Sequence, residues 1–121
     1  MRLSWSVAAA ALLLSAAVLA GPKIQIEFNK HVKPAEGSAL AKAGCVVCHV
    51  APAKAELNAY GKDTAAAMKA LETKELTKEV LAKLAKLDSD KDKFTNEQEL
   101  KAGTLPGDPK SKPKSERTPG K

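Results

Sequence analysis

Cys45-Val46-Val47-Cys48-His49 holds the only two cysteines of a 121-residue chain, and one of its two histidines follows the second of them directly. Thiols at this spacing lie one short turn apart, so each can add across one vinyl group of a porphyrin and form a thioether. The histidine after the second cysteine is then carried under the iron, where its imidazole becomes the proximal axial ligand. The pattern assigns Cys45 and Cys48 to covalent haem attachment and His49 to the iron. Zinc is a poor rival, because two thiolates and one adjacent imidazole leave a tetrahedral site incomplete. Thiol–disulfide exchange at Cys45-x-x-Cys48 lacks the alternating strand and helix context of such proteins and leaves His49 without a job.

Upstream of the motif, Met1-Arg2 gives a positive start, Ser6 to Ala20 is almost continuously apolar and small, and Val18-Leu19-Ala20 offers small residues for cleavage. This reads as a signal peptide over residues 1–20, which places the protein in the periplasm or outside the cell. The uncharged run from Leu3 to Ala20 is at the lower limit for a bilayer span, and its alanine content argues against a permanent anchor, so no stable membrane span is expected after cleavage. No cysteine stands near Ala20 to carry a lipid. Export suits the motif, since covalent haem is attached after secretion.

Residues 21–121 then form one small domain. Trp5 leaves with the signal, so the remaining aromatics are Phe28, Tyr60 and Phe94. A chain of this size struggles to build a sufficient apolar core from so few large side chains, and a buried haem would supply the missing apolar body. Arg2 leaves too, so the formal net charge falls from +6 to +5 (6 − 1), and a ring of lysines around an exposed haem edge would suit an acidic-surfaced redox partner. Nucleic acid is not expected as a partner, because the chain is exported and its basic segments carry no interleaved aromatics.

Between residues 21 and 33, Ile24, Ile26 and Phe28 alternate before His31 and Pro34, which predicts an extended strap or a lone edge strand. His31 is either solvent-exposed between its lysine neighbours or a distal haem ligand. Ser38 to Ala43 reads as a short helix capped by Ser38 and stopped by Gly44, delivering the chain into the motif. Leu57 to Asp63 reads as a polar turn, with Asn58 in a turn-forming role and Tyr60 either packed on the haem edge or in the plain core. Asp63 then caps a helix over residues 64–71, on which Met68 is either a distal iron ligand or a core filler. Thr77 caps a further helix over residues 78–87, with Val80, Leu81, Leu84 and Leu87 on one face.

Asp88-Ser89-Asp90-Lys91-Asp92-Lys93-Phe94-Thr95-Asn96-Glu97-Gln98-Glu99 places carboxylates at positions 1, 3, 5 and 12 of a calcium loop of the EF-hand kind. Phe94 offers its carbonyl at position 7, and Glu99 closes the site in bidentate fashion. Thr95 with Gln98 forms a capping box that starts an exit helix. Lys93 occupies position 6, where glycine normally makes the sharp turn. The alternative is an acidic surface turn that binds nothing. Beyond residue 105, proline, glycine and lysine predict an irregular basic tail over residues 106–121.

The haem motif behind a signal peptide resembles the c-type cytochromes. The run Leu57 to Asp63, the segment Asp88 to Glu99 and the sequence Gly103-Thr104-Leu105-Pro106-Gly107-Asp108 are similar to small secreted bacterial cytochrome-like proteins carrying one calcium-loop repeat of the thrombospondin type 3 or EF-hand kind. The resemblance implies a mostly α-helical domain over residues 21–105, wrapped on one haem c and including the EF-hand-like loop 88–99. It implies an electron carrier rather than an enzyme, with Ca2+ as a second ligand. It departs from the commonest cytochromes in the position of Met68, which leaves the sixth ligand open between Met68, His31 and an exchangeable site. An open site would suit a haem sensor or peroxide chemistry. A calcium-binding or thiol–disulfide module without haem is the remaining alternative.

Overall fold

The computed structural model describes residues 23–113; the expected signal peptide and residues 114–121 of the tail lie outside them. Among the described residues every regular element is helical. The order is α1 (Lys23–Val32), α2 (Ala39–Ala43), a 3-10 turn (Gly44–Val47), α3 (Ala59–Ala70), α4 (Lys78–Ala85) and α5 (Asn96–Ala102). No helix among them is long and apolar enough to cross a membrane. Helix α3 packs on α4, and α4 on α5.

The extended strap expected over residues 21–33 is instead helix α1. The alternation of Ile24, Ile26 and Phe28 is too short to establish a period of two. Ile24, Phe28 and Val32 recur every fourth residue, which puts them on one face of a helix. Phe28 is buried, Ile24 and Val32 pack against the core, and Ile26 stands out at 61% exposure. The helix ends where Lys33 turns left-handed (φ 52°) ahead of Pro34. Glu27 ties α1 to the far side of the fold, its Oε2 accepting the Leu76 N–H at 2.8 Å.

Local capping decides the other boundaries. Ser38 accepts the Ala41 N–H, Thr77 that of Val80, and Thr95 that of Gln98. Helix α3 begins earlier than the sequence suggested: Asn58, and not Asp63, is its cap, accepting the Gly61 N–H at 2.9 Å. Asp63 therefore lies inside the helix, where its Oδ2 accepts the Ser89 hydroxyl at 2.7 Å. Helix α4 stops at Ala85, leaving Leu87 45% exposed.

The core is a single cluster of Phe28, Leu40, Val47, Tyr60, Ala67, Leu76, Val80 and Leu84. Each helix contributes few large side chains, so the 3-10 turn supplies Val47 and the segment between α3 and α4 supplies Leu76. The chain also remains packed past Leu105, where the sequence placed the start of the irregular tail. Pro106 is fully buried, the Ser111 hydroxyl accepts the Leu105 N–H at 3.0 Å, and the Ser111 N–H reaches the Asp108 carbonyl at 2.9 Å.

Helix and strap make different demands on neighbouring side chains. Phe28→Ala is expected to cost about 3–5 kcal/mol in chemical denaturation, whereas Ile26→Ala, on the outer face, should change stability by about 0.5 kcal/mol or less. Equal losses at both positions would contradict the helical packing.

Candidate functional site

The Cys45–His49 segment is a tight turn whose carbonyls point back onto the start of α3. Its own backbone closes it, with the Cys48 and His49 N–H groups both reaching the Cys45 carbonyl, at 3.2 and 2.9 Å. From the other side, the Asn58 N–H donates to the Cys48 carbonyl at 2.8 Å. The Asn58 side-chain Nδ2 faces the carbonyls of Val46, Val47 and His49 at 3.0, 3.1 and 3.4 Å. Gly61 is needed one turn later, because a Cβ there would strike the Cys48 carbonyl. The absence of a side chain lets α3 lie directly on the motif.

Both cysteines are free thiols; Cys45 is exposed and Cys48 half-buried. Burial pushes the Cys48 thiol up to about 11, with the neighbouring Cys45 adding to the effect. That direction is opposite to the lowered values of exchange-active thiols. The Tyr60 hydroxyl is buried with no hydrogen-bond partner, and burial, helped by Cys48, pushes its pKa well above the ordinary phenol value.

His49 is half-buried, and its ring Nδ1 lies 3.2 Å from the Ala55 carbonyl. With the proton on Nδ1, this bond fixes the tautomer and leaves the Nε2 lone pair for a metal, the arrangement typical of iron- and zinc-bound histidines. The loop that supplies Ala55 is folded back on the motif by an isolated bridge between His49 and Leu57 and by the Val50 N–H to the Glu56 carbonyl at 3.0 Å. Two thiols within one turn and an imidazole oriented at Nδ1 match the groups that covalent haem attachment would need.

The other candidates fall elsewhere. Met68 is partly buried against the core cluster that Cys48 also packs on. His31 is on the last turn of α1 and lines an apolar groove of about 460 Å³ with Leu81, Leu84 and Leu100; none of Cys45, Cys48, His49 or Met68 lines it.

The acidic loop is a second centre. Carboxylate oxygens of Asp88, Asp90 and Asp92 lie within 4.8 Å of one another. The turn is held by the carboxylates themselves: Asp88 accepts the Asp92 and Lys93 N–H groups at 3.1 and 2.8 Å, and Asp92 accepts that of the half-buried Phe94 at 3.0 Å. Lys93 takes the left-handed conformation (φ 80°) that position 6 demands. Glu99 is fully buried on α5, its Oε1 accepting the Thr104 hydroxyl at 2.9 Å. Asp90 Oδ2, Asp92 Oδ2 and Glu99 Oε2 are all buried without a partner. Burial, reinforced by the three aspartates, pushes Glu99 up to about 8, against the pull of Thr104, and burial with the Asp92 charge pushes Asp90 up to about 7. The clustered oxygens of Asp88, Asp90 and Asp92, with unpartnered oxygens on Asp90 and Asp92, are a suitable start for a Ca2+ site, which takes six to eight oxygens, and Glu99 adds a further unpartnered oxygen that feels their charge.

Two asparagines in this architecture escaped the sequence analysis. Asn58 was read as a turn former, and Asn96 only as a residue within the loop. Asn96 is fully buried and joins α4 to α5, its Nδ2 donating to the Leu84 carbonyl at 3.0 Å and to the Ser89 hydroxyl at 2.9 Å. The available signal was positional, since each stands at the start of a helix, but their longer bonds depend on how the preceding turn or loop folds back onto that helix. No protein-family model matches the chain, and no curated protein or solved structure matches it.

Two outcomes are expected. Without a cation the folded chain keeps protons on Glu99 and Asp90 that the unfolded chain releases at ordinary carboxylate values, so stability falls as pH rises between 4.5 and about 8. Thermal melts should show this fall, and added calcium should abolish it. Lys93→Gly relieves a left-handed lysine that the chain already holds without an ion, so chemical denaturation should show the folded chain more stable by about 1 kcal/mol.

Proposed function

We propose that this chain is an exported mono-haem electron carrier of the c-type cytochrome kind, with a calcium ion in the 88–99 loop. The observation that carries the reading is the His49 imidazole, held at Nδ1 by the Ala55 carbonyl beside the two free thiols of one turn. Bound haem supplies a single-electron change at iron. Cys45 and Cys48 would hold the porphyrin edge through thioethers, and His49 would present Nε2 to the iron. Tyr60 would offer its unpartnered hydroxyl beside Cys48. Met68 is the better candidate for the sixth ligand because it shares the core with Cys48, whereas His31 lines a groove that excludes the whole motif. Asp88, Asp90, Asp92 and Glu99 would take calcium through carboxylate oxygens, with the Phe94 carbonyl as a further ligand.

The haem-free chain offers little for thiol exchange, since burial pushes Cys48 up and so suppresses its thiolate. Exposed Lys42, Lys54 and Lys62 come from the three segments flanking the motif and would steer an acidic redox partner toward it.

The test is expression of the full chain, signal included, in a host with a haem-attachment system. Exported protein is run on a denaturing gel, stained for haem peroxidase activity and followed by a reduced-minus-oxidised spectrum. A stained band lost in Cys45→Ala/Cys48→Ala supports the reading; an unstained wild-type band rejects it. Met68→Leu should shift the reduction potential of the loaded protein, and His31→Leu should leave it unchanged.

A further inference from the structure

One residue outside the Cys-x-x-Cys-His pattern contacts nearly all of it. Asn58 meets four successive carbonyls: Cys48 through its backbone N–H at 2.8 Å, and Val46, Val47 and His49 through its side-chain Nδ2 at 3.0, 3.1 and 3.4 Å. The other end of the same carboxamide accepts the Gly61 N–H at 2.9 Å. Only a short primary amide offers an acceptor for a helix N-terminus and two donors for a turn from one Cγ. Asp and Ser match the first role but not the second.

The amide is also locked. Gly107 lies so close that a Cβ on it would collide with Oδ1, Cγ and Nδ2 of Asn58. Pro106 beside it is fully buried. The Gly103 carbonyl accepts the Leu40 N–H at 2.9 Å, fastening the start of this segment to α2, the helix that leads into the motif. Residues 103–107 therefore touch the start of α2, which leads into the Cys45–His49 turn, and the cap of α3, which follows it.

We propose that Asn58 is the positioning residue of the Cys45–His49 turn, with its carboxamide held in place by Gly107. It fixes the relative placement of the two thiols and the imidazole before haem is attached and sets the direction of His49 once iron is bound. The proposal rests on the haem reading for its consequence, though the clamp itself exists in the haem-free chain.

Two variants separate clamping from capping. Asn58→Asp keeps an oxygen for the Gly61 N–H and removes both donors, so α3 retains its cap. Gly107→Ala leaves Asn58 intact and forces its carboxamide to move. Val80→Ala, in the core away from the turn, serves as the destabilised control. Each full-length chain is produced with a haem-attachment system and scored for covalent haem per protein and for the reduction potential of the loaded fraction. In parallel, haem-free protein is labelled with iodoacetamide, and the rates at Cys45 and Cys48 are read by peptide mass.

The expected result is that Asn58→Asp and Gly107→Ala each speed Cys48 labelling about tenfold, the factor for roughly one lost hydrogen bond, with far-UV helicity retained. Both should lower haem attachment and shift the potential of what is loaded, while Val80→Ala leaves potential and Cys48 labelling at wild-type values. Wild-type labelling and potential in Asn58→Asp would overturn the proposal, as would equal effects from Val80→Ala. If the wild-type chain takes no haem, the haem reading fails by itself and the assigned role in attachment fails with it. Labelling then reports separately whether the clamp on the turn is real.

Discussion

The carbonyls of the Cys45–His49 turn impose the constraint on which the surrounding structure depends. A tight turn that presents two thiols and an imidazole outward must direct its carbonyls inward, and inward-facing carbonyls need donors or they cost about 1–3 kcal/mol each. Asn58 meets that need for the successive carbonyls of residues 46 to 49. Much else follows from placing one short amide there. Helix α3 must begin at Ala59, Gly61 must lack a side chain so the helix can approach Cys48, and Gly107 must lack one so the amide can sit where it does. Two glycines far apart in sequence thus serve the same few carbonyls.

The acidic loop answers a different electrostatic demand and shares its frame with the motif. Three aspartates cluster where Glu99 feels their charge, and three carboxylate oxygens are unpartnered, a state that favours protons or a divalent cation. The backbone accepts unfavourable geometry to build it, holding Lys91 and Lys93 left-handed at φ 61° and 80°. Glu99 stands at the junction of the two centres. It faces the aspartates from α5, and through the Thr104 hydroxyl it touches the segment that continues to Pro106 and Gly107 against Asn58. Ser89 and Asp63 make a second connection, from the loop to the middle of α3. A cation in the loop and a ligand on the motif would each stiffen the same small scaffold.

That scaffold has little apolar material. Its core draws one or two residues from most elements, and the buried Asn96 and the half-buried Glu27 do joining work that extra leucines would do in a larger domain. Such a fold depends on a few directional bonds. The exposed lysines around the motif add surface charge but little stability.

Local chemistry was readable directly in the chain. The thiol and imidazole spacing, the Ser38, Thr77 and Thr95 caps, the Thr95–Gln98 capping box and the 1, 3, 5, 12 carboxylate spacing depend on neighbours within a dozen residues. Helical class followed from the same short-range signals. The misreadings arose where competing local patterns needed a distant arbiter. Ile24, Ile26 and Phe28 fit a period of two until the core selects Phe28 and leaves Ile26 in solvent. Asn58 and Asp63 are both competent caps, and only the carbonyls of the motif and the hydroxyl of Ser89 decide which starts the helix and which serves inside it. Residues 106–113 carry no regular element, as their composition suggests, but that composition could not show that Pro106 is buried and Gly107 lies against Asn58. Residue identity and spacing thus determine which groups are available for chemistry. The tertiary structure decides which of them meet, because burial of carbonyls and carboxylates is settled only when remote segments close over them.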